Sequence, residues 1–316
     1  MKMPLKNSLI LLAAAAIWGT AFVAQSAGMD YMGPLTFNGL RYFLGAAVLS
    51  PFLVVKRFGG RKGGLIDSGP ALKTQDMQTP SVTRILTGGM FCGFFLCVAS
   101  NLQQYAIISV DVGKAGFLTA MYIVIVPLLA FFRTGHTSLR LWISVALASA
   151  GLYFLSISGG MKFESGDAAL VACAFVFSLH IMCIDSFPDV DGVLLSFLQF
   201  MVAGILSFGA ALAVETISWP AVRAGWFPIV YAGVFSCGIA YTFQIIGQKG
   251  ADPAAASLIL SLESVVSVLA GFLLLGQKLT SRELLGCVLM FIAIVLVQLP
   301  VSGPRFQSEE CEKNAR

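Results

Sequence analysis

Residues 103–135 read QQYAIISVDVGKAGFLTAMYIVIVPLLAFFRTG, and residues 244–276 read QIIGQKGADPAAASLILSLESVVSVLAGFLLLG. Laid over one another with a shift of 141 residues and no gap, the two stretches share seven identities. Gln103 falls on Gln244, Asp111 on Asp252 and Ala115 on Ala256. Val124, Leu128, Phe131 and Gly135 fall on Val265, Leu269, Phe272 and Gly276. Each stretch holds one apolar run of about 20 residues, the length that carries a helix across a bilayer. The start and end of the run coincide in the two copies.

Working outward, eight more apolar runs flank these two. The ten expected spans are 7–28, 34–55, 85–107, 112–132, 140–158, 167–184, 192–214, 227–247, 253–275 and 282–300. The expected fold is therefore an all-α integral membrane protein. Its ten transmembrane helices form two five-helix repeats, with one repeat over 1–158, the second over 159–300 and a tail over 301–316. A repeat with an odd number of spans must invert, because its second copy starts on the opposite side of the membrane. Inverted repeats with a substrate site between them are a recurring plan of secondary transporters. Outside 103–135 and 244–276 the pairing is fainter: Trp18 meets Phe177, and Arg41 meets Gln199.

Composition agrees. Of the 316 residues, 57 % are apolar and 11 % charged; a soluble domain carries about 25 % charged residues. The mean hydropathy is +0.85. The net charge of +4 is spread between apolar runs and forms no basic face, so nucleic acid is not an expected partner. The seven cysteines include no CxxC pair, which points to buried free thiols over a disulfide frame or a zinc site. Lys2 and Lys6 followed by an apolar run mimic a signal peptide. Nine further runs and a repeat counterpart make that segment the first span instead.

Positive charge sets the expected orientation. With the N-terminus in the cytoplasm, inside segments hold 14 Lys and Arg residues and outside segments five. The expectation is a multi-pass protein of a bacterial inner membrane with both termini cytoplasmic. The basic segment 56–84 is then a cytoplasmic loop. The 185–191 loop holds only acids and runs against the rule.

Trp18-Gly19-Thr20 in the first span, Arg41 in the second, and the run Gly113-Lys114-Ala115-Gly116-Phe117-Leu118 with Tyr122 and Pro127 form one recognisable series. Leu262-Glu263-Ser264-Val265, Leu275-Gly276 and Leu279-Thr280 form its partner. In order and spacing these resemble the EamA branch of the drug/metabolite transporter superfamily over about residues 8–300. The resemblance implies ten helices around a central cavity and export of amino acids, related metabolites or toxic compounds. The family often carries Glu after the Gly that ends helices 4 and 9; here those places hold His136 and Gln277.

Eight residues are candidates for substrate binding or coupling: Glu263, Arg41, Tyr122, His180, Lys114, Gln103, Gln244 and Trp18. Glu263 falls about ten residues into its span, where an ionised carboxylate must be solvated, paired or protonated. It suits a proton carrier or a receptor for a cation; otherwise it bonds backbone or Tyr122, its repeat counterpart. Arg41 can take a substrate carboxylate with two parallel bonds, reach the interface, or pair with an acid such as Glu263. His180 suits proton exchange or is a satisfied core residue. Lys114 faces a vestibule or the headgroups. Gln103 and Gln244, like Asn38, Asn101, Gln104 and Gln199, need partners in hydrocarbon and should face helices or a wet cavity. Trp18, Tyr105, Tyr122, Phe177 and Tyr241 can line that cavity or simply pack. Asp111 and Asp252 fit helix N-caps, with Pro253 in the first helical position. Thr280 and Glu283 fit a capping box.

No Walker A lysine, GxSxG or HExxH occurs, so neither nucleotide hydrolysis nor a familiar hydrolase is expected, and no cofactor is implied. The leading reading is a secondary transporter of small molecules, driven by a gradient such as protons or by diffusion. The alternatives are a channel or membrane scaffold and, behind them, an intramembrane enzyme. A single chain suffices to enclose a cavity, so a monomer is the default beside a homodimer.

Overall fold

The computed structural model describes residues 3–59, 80–110, 112–135, 138–156, 165–275 and 280–298. Most of the 56–84 loop, Asp111, His136, Gln277 and the 301–316 tail lie outside the described residues, as do the side chains of Lys114 and Glu283. All regular structure among the described residues is helical. The helices are α1 (Leu5–Gly28), α2 (Pro34–Gly59), α3 (Val82–Ile107), α4 (Val112–Thr119), α5 (Tyr122–Thr134), α6 (Leu139–Ser156) and α7 (Ser165–Asp185). They continue with α8 (Gly192–Val214), the short α9 (Trp219–Ala224), α10 (Trp226–Tyr231), a π-helical segment Ala232–Tyr241, α11 (Thr242–Gln248), α12 (Pro253–Leu260), α13 (Glu263–Leu275) and α14 (Ser281–Gln298). Eight of the described helical stretches are long and apolar enough to cross a membrane; two more, within α6 and α14, are apolar and shorter.

Two expected spans each carry one tight turn where the sequence suggested uninterrupted α-helix. Residues 120–121 separate α4 from α5, and residues 261–262 separate α12 from α13. The breaks differ by the same 141 residues as the sequence repeat. At each the hydrogen bonding tightens from i→i+4 to i→i+3: Ile123 N–H bonds the Ala120 carbonyl at 3.0 Å, and Leu262 N–H bonds the Ile259 carbonyl at 3.1 Å. Such turns inside a helix are frequent at hinges. Glu263 therefore follows a tight turn inside the Pro253–Ala270 span.

Helix ends follow local chemistry. Asp252 caps α12 by accepting from Ala254 N–H at 2.9 Å, with Pro253 next to it. Asp191 caps α8, accepting from Val193 and Leu194 N–H. The α2 N-terminus is capped from a distance: the Glu215 carboxylate, just past α8, accepts from the Leu35 and Thr36 amides at 2.8 and 2.9 Å.

The helices pack in matching sets. Helix α6 lies along α14, and α2 along α8. Contacts of α1 with α12 and α13 correspond to those of α7 with α4 and α5. Contacts of α3 with α7 and α8 correspond to those of the Trp226–Gln248 helix with α1 and α2. Two glycines let backbones meet. A Cβ on Gly19 would stand 2.6 Å from both the Glu263 carbonyl and Val266 Cβ, and one on Gly45 would stand 2.6 Å from Cys237 Cβ.

Polarity is distributed inside out. Phe52, Phe91, Phe132, Leu212, Leu273 and Phe291 are exposed, whereas Gln25, Asn38, Arg41, Gln104, His180, Gln199 and Glu263 are buried. An apolar exterior of this extent belongs in lipid, so this is a multi-pass membrane protein. The buried amides find partners across helices. Asn38 Nδ2 donates to Asn101 Oδ1 at 2.7 Å, and Asn101 Nδ2 donates to Ser207 Oγ at 2.8 Å.

The acidic 185–191 loop, anomalous in sequence, is explained at one end of the bundle. Lys56 pairs with Asp191 at 2.5 Å, Arg84 with Asp189 at 2.5 Å, and Arg133 with Asp185. Lys249 Nζ donates to the Val190 carbonyl. Each acid thus meets a base from the ends of α2, α3 and α5. The Arg84 hydrogen bond holds the Asp189 carboxyl below the usual carboxylate range. Burial pushes Asp191 upward, but Lys56 and the Leu194 amide outweigh it, and its pKa also ends below the usual value. Burial lowers Lys249.

Candidate functional site

Between the helices, α1, α2, α3, α4, α5, α7, the π-helical segment, α11, α12 and α13 line a cavity of about 480 Å³, the solvent-open part included. The break after Thr119 and the break after Leu260 both end on the wall, followed by Tyr122 and Glu263.

Six of the eight candidate residues come together there: Trp18, Arg41, Gln103, Tyr122, Gln244 and Glu263 all line the cavity. Tyr122 Oη donates to Glu263 Oε1 at 2.9 Å. Gln103 Nε2 donates to Thr119 Oγ1, the last residue of α4, at 3.2 Å. Trp18 meets Tyr241 edge-on, ring centres 4.7 Å apart, and its indole N–H donates to the Ser236 carbonyl at 3.3 Å. Gln244 Oε1 is buried without a partner. The π-helical segment supplies Ser236 and Tyr241; π turns inside α-helices are frequent at functional sites.

Arg41 is 1 % exposed. It neither reaches an interface nor pairs with Glu263, two of the readings its sequence position allowed. One guanidinium nitrogen donates to Gln25 Oε1 at 2.9 Å, and the group lies over the Phe37 and Tyr42 rings at 5.7 and 5.1 Å. A neutral amide and two aromatic faces thus replace the expected carboxylate.

His180 does not line the cavity. It stands behind Tyr241, ring centres 6.2 Å apart, with Nε2 3.0 Å from Gln199 Oε1. Tyr105 is 61 % exposed and faces outward, not inward. The Lys114 side chain lies outside the described residues. Gln25, Thr119 and Ser236 were missed. Gln25 is a lone amide in an apolar run, the signal that marked Gln103 and Gln244. Thr119 and Ser236 gave no signal, because small hydroxyls bond their own helix in any span.

Among the described residues no group of three or more His, Cys, Asp and Glu could hold a metal ion. Cys92 and Cys183 lie with their sulfurs 3.4 Å apart as free thiols.

A helical bundle with an apolar exterior and a polar-aromatic cavity between its helices defines a multi-pass membrane protein. The chain belongs to the EamA-like transporter family, whose sequence pattern matches residues 5–157 and 164–299. It is 26 % identical over 296 residues to an "uncharacterized transporter" of Archaeoglobus fulgidus, covering 91 % of this chain and 84 % of that one. It is 23 % identical over 318 residues to the "uncharacterized inner membrane transporter YedA" of Escherichia coli K12, with 96 % of each chain covered. YoaV of Bacillus subtilis strain 168, likewise an "uncharacterized transporter", is 22 % identical over 303 residues. A solved crystal structure superposes with a TM-score of 0.71 at 20 % identity, over 92 % of this chain and 96 % of its own; that likeness concerns the fold.

Proposed function

We propose that this protein is a secondary transporter that exports amino acids or related small metabolites across a bacterial inner membrane by alternating access. Ten spans in two inverted repeats, 1–158 and 159–300, would put the breaks of α4–α5 and α12–α13 near the midplane, with both termini cytoplasmic. The observation that carries the reading is the cavity walled by those two breaks, with Tyr122 and Glu263 joined across it. Discontinuous helices meeting at a central site are how secondary transporters place substrate groups within the bilayer. The shared 141-residue offset of sequence and breaks, and the exchange of packing partners between halves, support the repeat.

In this reading the halves rock about the tight turns at 120–121 and 261–262. The pairs made by Lys56, Arg84 and Arg133 with the 185–191 loop hold the cytoplasmic ends of the helices together. That side accords with the positive charge of the neighbouring loops. Export as the direction, and amino acids as the substrate, rest on the family resemblance in the sequence.

The test is comparative. The parent protein and Glu263→Gln are expressed at matched membrane levels in cells lacking major exporters, and the medium is profiled. A compound that accumulates outside only with the parent, saturably, upholds the proposal. Identical media across a wide metabolite panel would remove export, and unsaturating ion currents would replace transport with conduction.

A further inference from the structure

Arg41 is a buried cation whose charge no described residue answers. Among the described residues no carboxylate stands within ion-pair distance of it. Its partners are neutral: Gln25 Oε1 at 2.9 Å, the Tyr42 hydroxyl at a long 3.5 Å, and the two ring faces. Its Nε has no partner. The Gln25 side chain and the two ring faces hold the guanidinium, and beside it Gln104 Nε2 of α3 donates to the Gln25 backbone carbonyl at 2.9 Å. The acid on the cavity wall, Glu263, is occupied by Tyr122.

A guanidinium fixed by neutral groups on the wall of a cavity is poised to pair with an incoming anion. Nε and the adjacent Nη form the edge that matches the two oxygens of a carboxylate. Nearby, Trp18 and Tyr241 offer aromatic surface.

We propose that the ligand of this cavity carries a carboxylate that pairs with Arg41 through that edge, while an apolar or aromatic body lies against Trp18 and Tyr241. The proposal rests on the transporter reading and narrows it to organic carboxylates. Gln25 is then a positioning residue that aims the guanidinium.

The test is equilibrium binding to the purified full-length protein in lipid nanodiscs. The probes are hydrocinnamate and hexanoate, each beside the alcohol and the amine of the same carbon frame. The acids are expected to bind roughly ten-fold or more tightly than the alcohols and amines. Arg41→Gln should erase that preference and Arg41→Lys should keep part of it, since lysine retains the charge without the two-pronged edge. Alcohols binding as tightly as acids, amines binding more tightly, no binding of either acid, or an Arg41→Gln protein with the parent's preference would each overturn the proposal. The three-way comparison on the parent decides the matter even where Arg41→Gln does not fold. Movement is read separately. Failure of the export experiment with the acid preference intact would remove the transporter reading and leave the anion site. Export without that preference would remove the anion site alone.

Discussion

Tyr122 Oη donates a 2.9 Å hydrogen bond to Glu263 Oε1, and each of the two residues is the first of the second segment of a broken helix, 141 positions apart in the chain. The bond thus ties the residues that follow the two tight turns together beside the cavity. Glu263→Gln keeps the shape and an acceptor oxygen, so the protein should fold at parental levels while transport falls. Tyr122→Phe removes the donor from a buried acid, and should cost about 1.5–3 kcal/mol of stability if the acid is ionised. Thermal unfolding in detergent beside a flux assay separates the two effects. Undiminished flux in Glu263→Gln would return the pair to a purely structural role.

His180 lies behind the wall, against Tyr241 and Gln199. A proton-carrying role would show as a change in the pH profile of flux between about 5 and 8. We expect His180→Asn to lose some stability through its packing and to leave that profile in place. A shifted profile would restore His180 to the transport cycle.

Gly19 is where α1 touches the backbone of Glu263. Because a Cβ there would meet a carbonyl oxygen and Val266 at 2.6 Å, Gly19→Ala should destabilise by about 1–3 kcal/mol, the usual cost of overpacking. It should also disturb the Tyr122–Glu263 bond. Parental thermal stability and flux in Gly19→Ala would show that the contact relaxes freely.

The ion pairs at the 185–191 loop predict an acid limb in stability. Asp189 and Asp191 both titrate below their usual range. A carboxyl lowered in the folded state contributes fully above its unfolded value of about 3.9 and loses that contribution as pH falls through the lower folded value. These two groups should therefore leave stability flat down to about pH 5 and erode it below about 4. The double variant Asp189→Asn, Asp191→Asn should flatten that limb when thermal midpoints are followed with pH. An unchanged acid limb would assign it to other carboxyls.

Glu215 holds three donors at the start of α2: two amides and the Thr36 hydroxyl at 2.6 Å. Glu215→Ala should cost about 1–2 kcal/mol, comparable to loss of a strong helix cap. Hydrogen exchange of the first turn of α2 is the direct readout, and unaltered exchange there would refute the cap.

Much of the fold was legible because lipid imposes a simple rule: a span must be apolar for about 20 residues. The run beginning near residue 192 ends at Val214 in both readings, and Asp252-Pro253 announced its helix start. The breaks at 120–121 and 261–262 were hidden because Ala120, Met121, Ser261 and Leu262 all tolerate helix, and neither site has a proline or glycine to mark it. Trp18, Tyr122 and Glu263 were legible as polar or aromatic groups in apolar runs. That Arg41 would meet Gln25 instead of an acid was not, since two helices must be assembled before their side chains can choose each other. Nor could charge counting foresee that the acids of 185–191 would each find a base from the first half.

The inside-out distribution of polarity also governs how such a chain can change. Phe132, Leu273 and Phe291 are largely exposed on the outside of the bundle, and the hydrocarbon beyond them asks only for greasiness. One apolar residue there can replace another with little consequence for fold or cargo. Two chains can therefore drift to about a quarter identity while spending most of their differences on the outside. In a comparison of related sequences, a position facing the hydrocarbon would record mainly the passage of time, and the few groups around the cavity would record what the molecule carries.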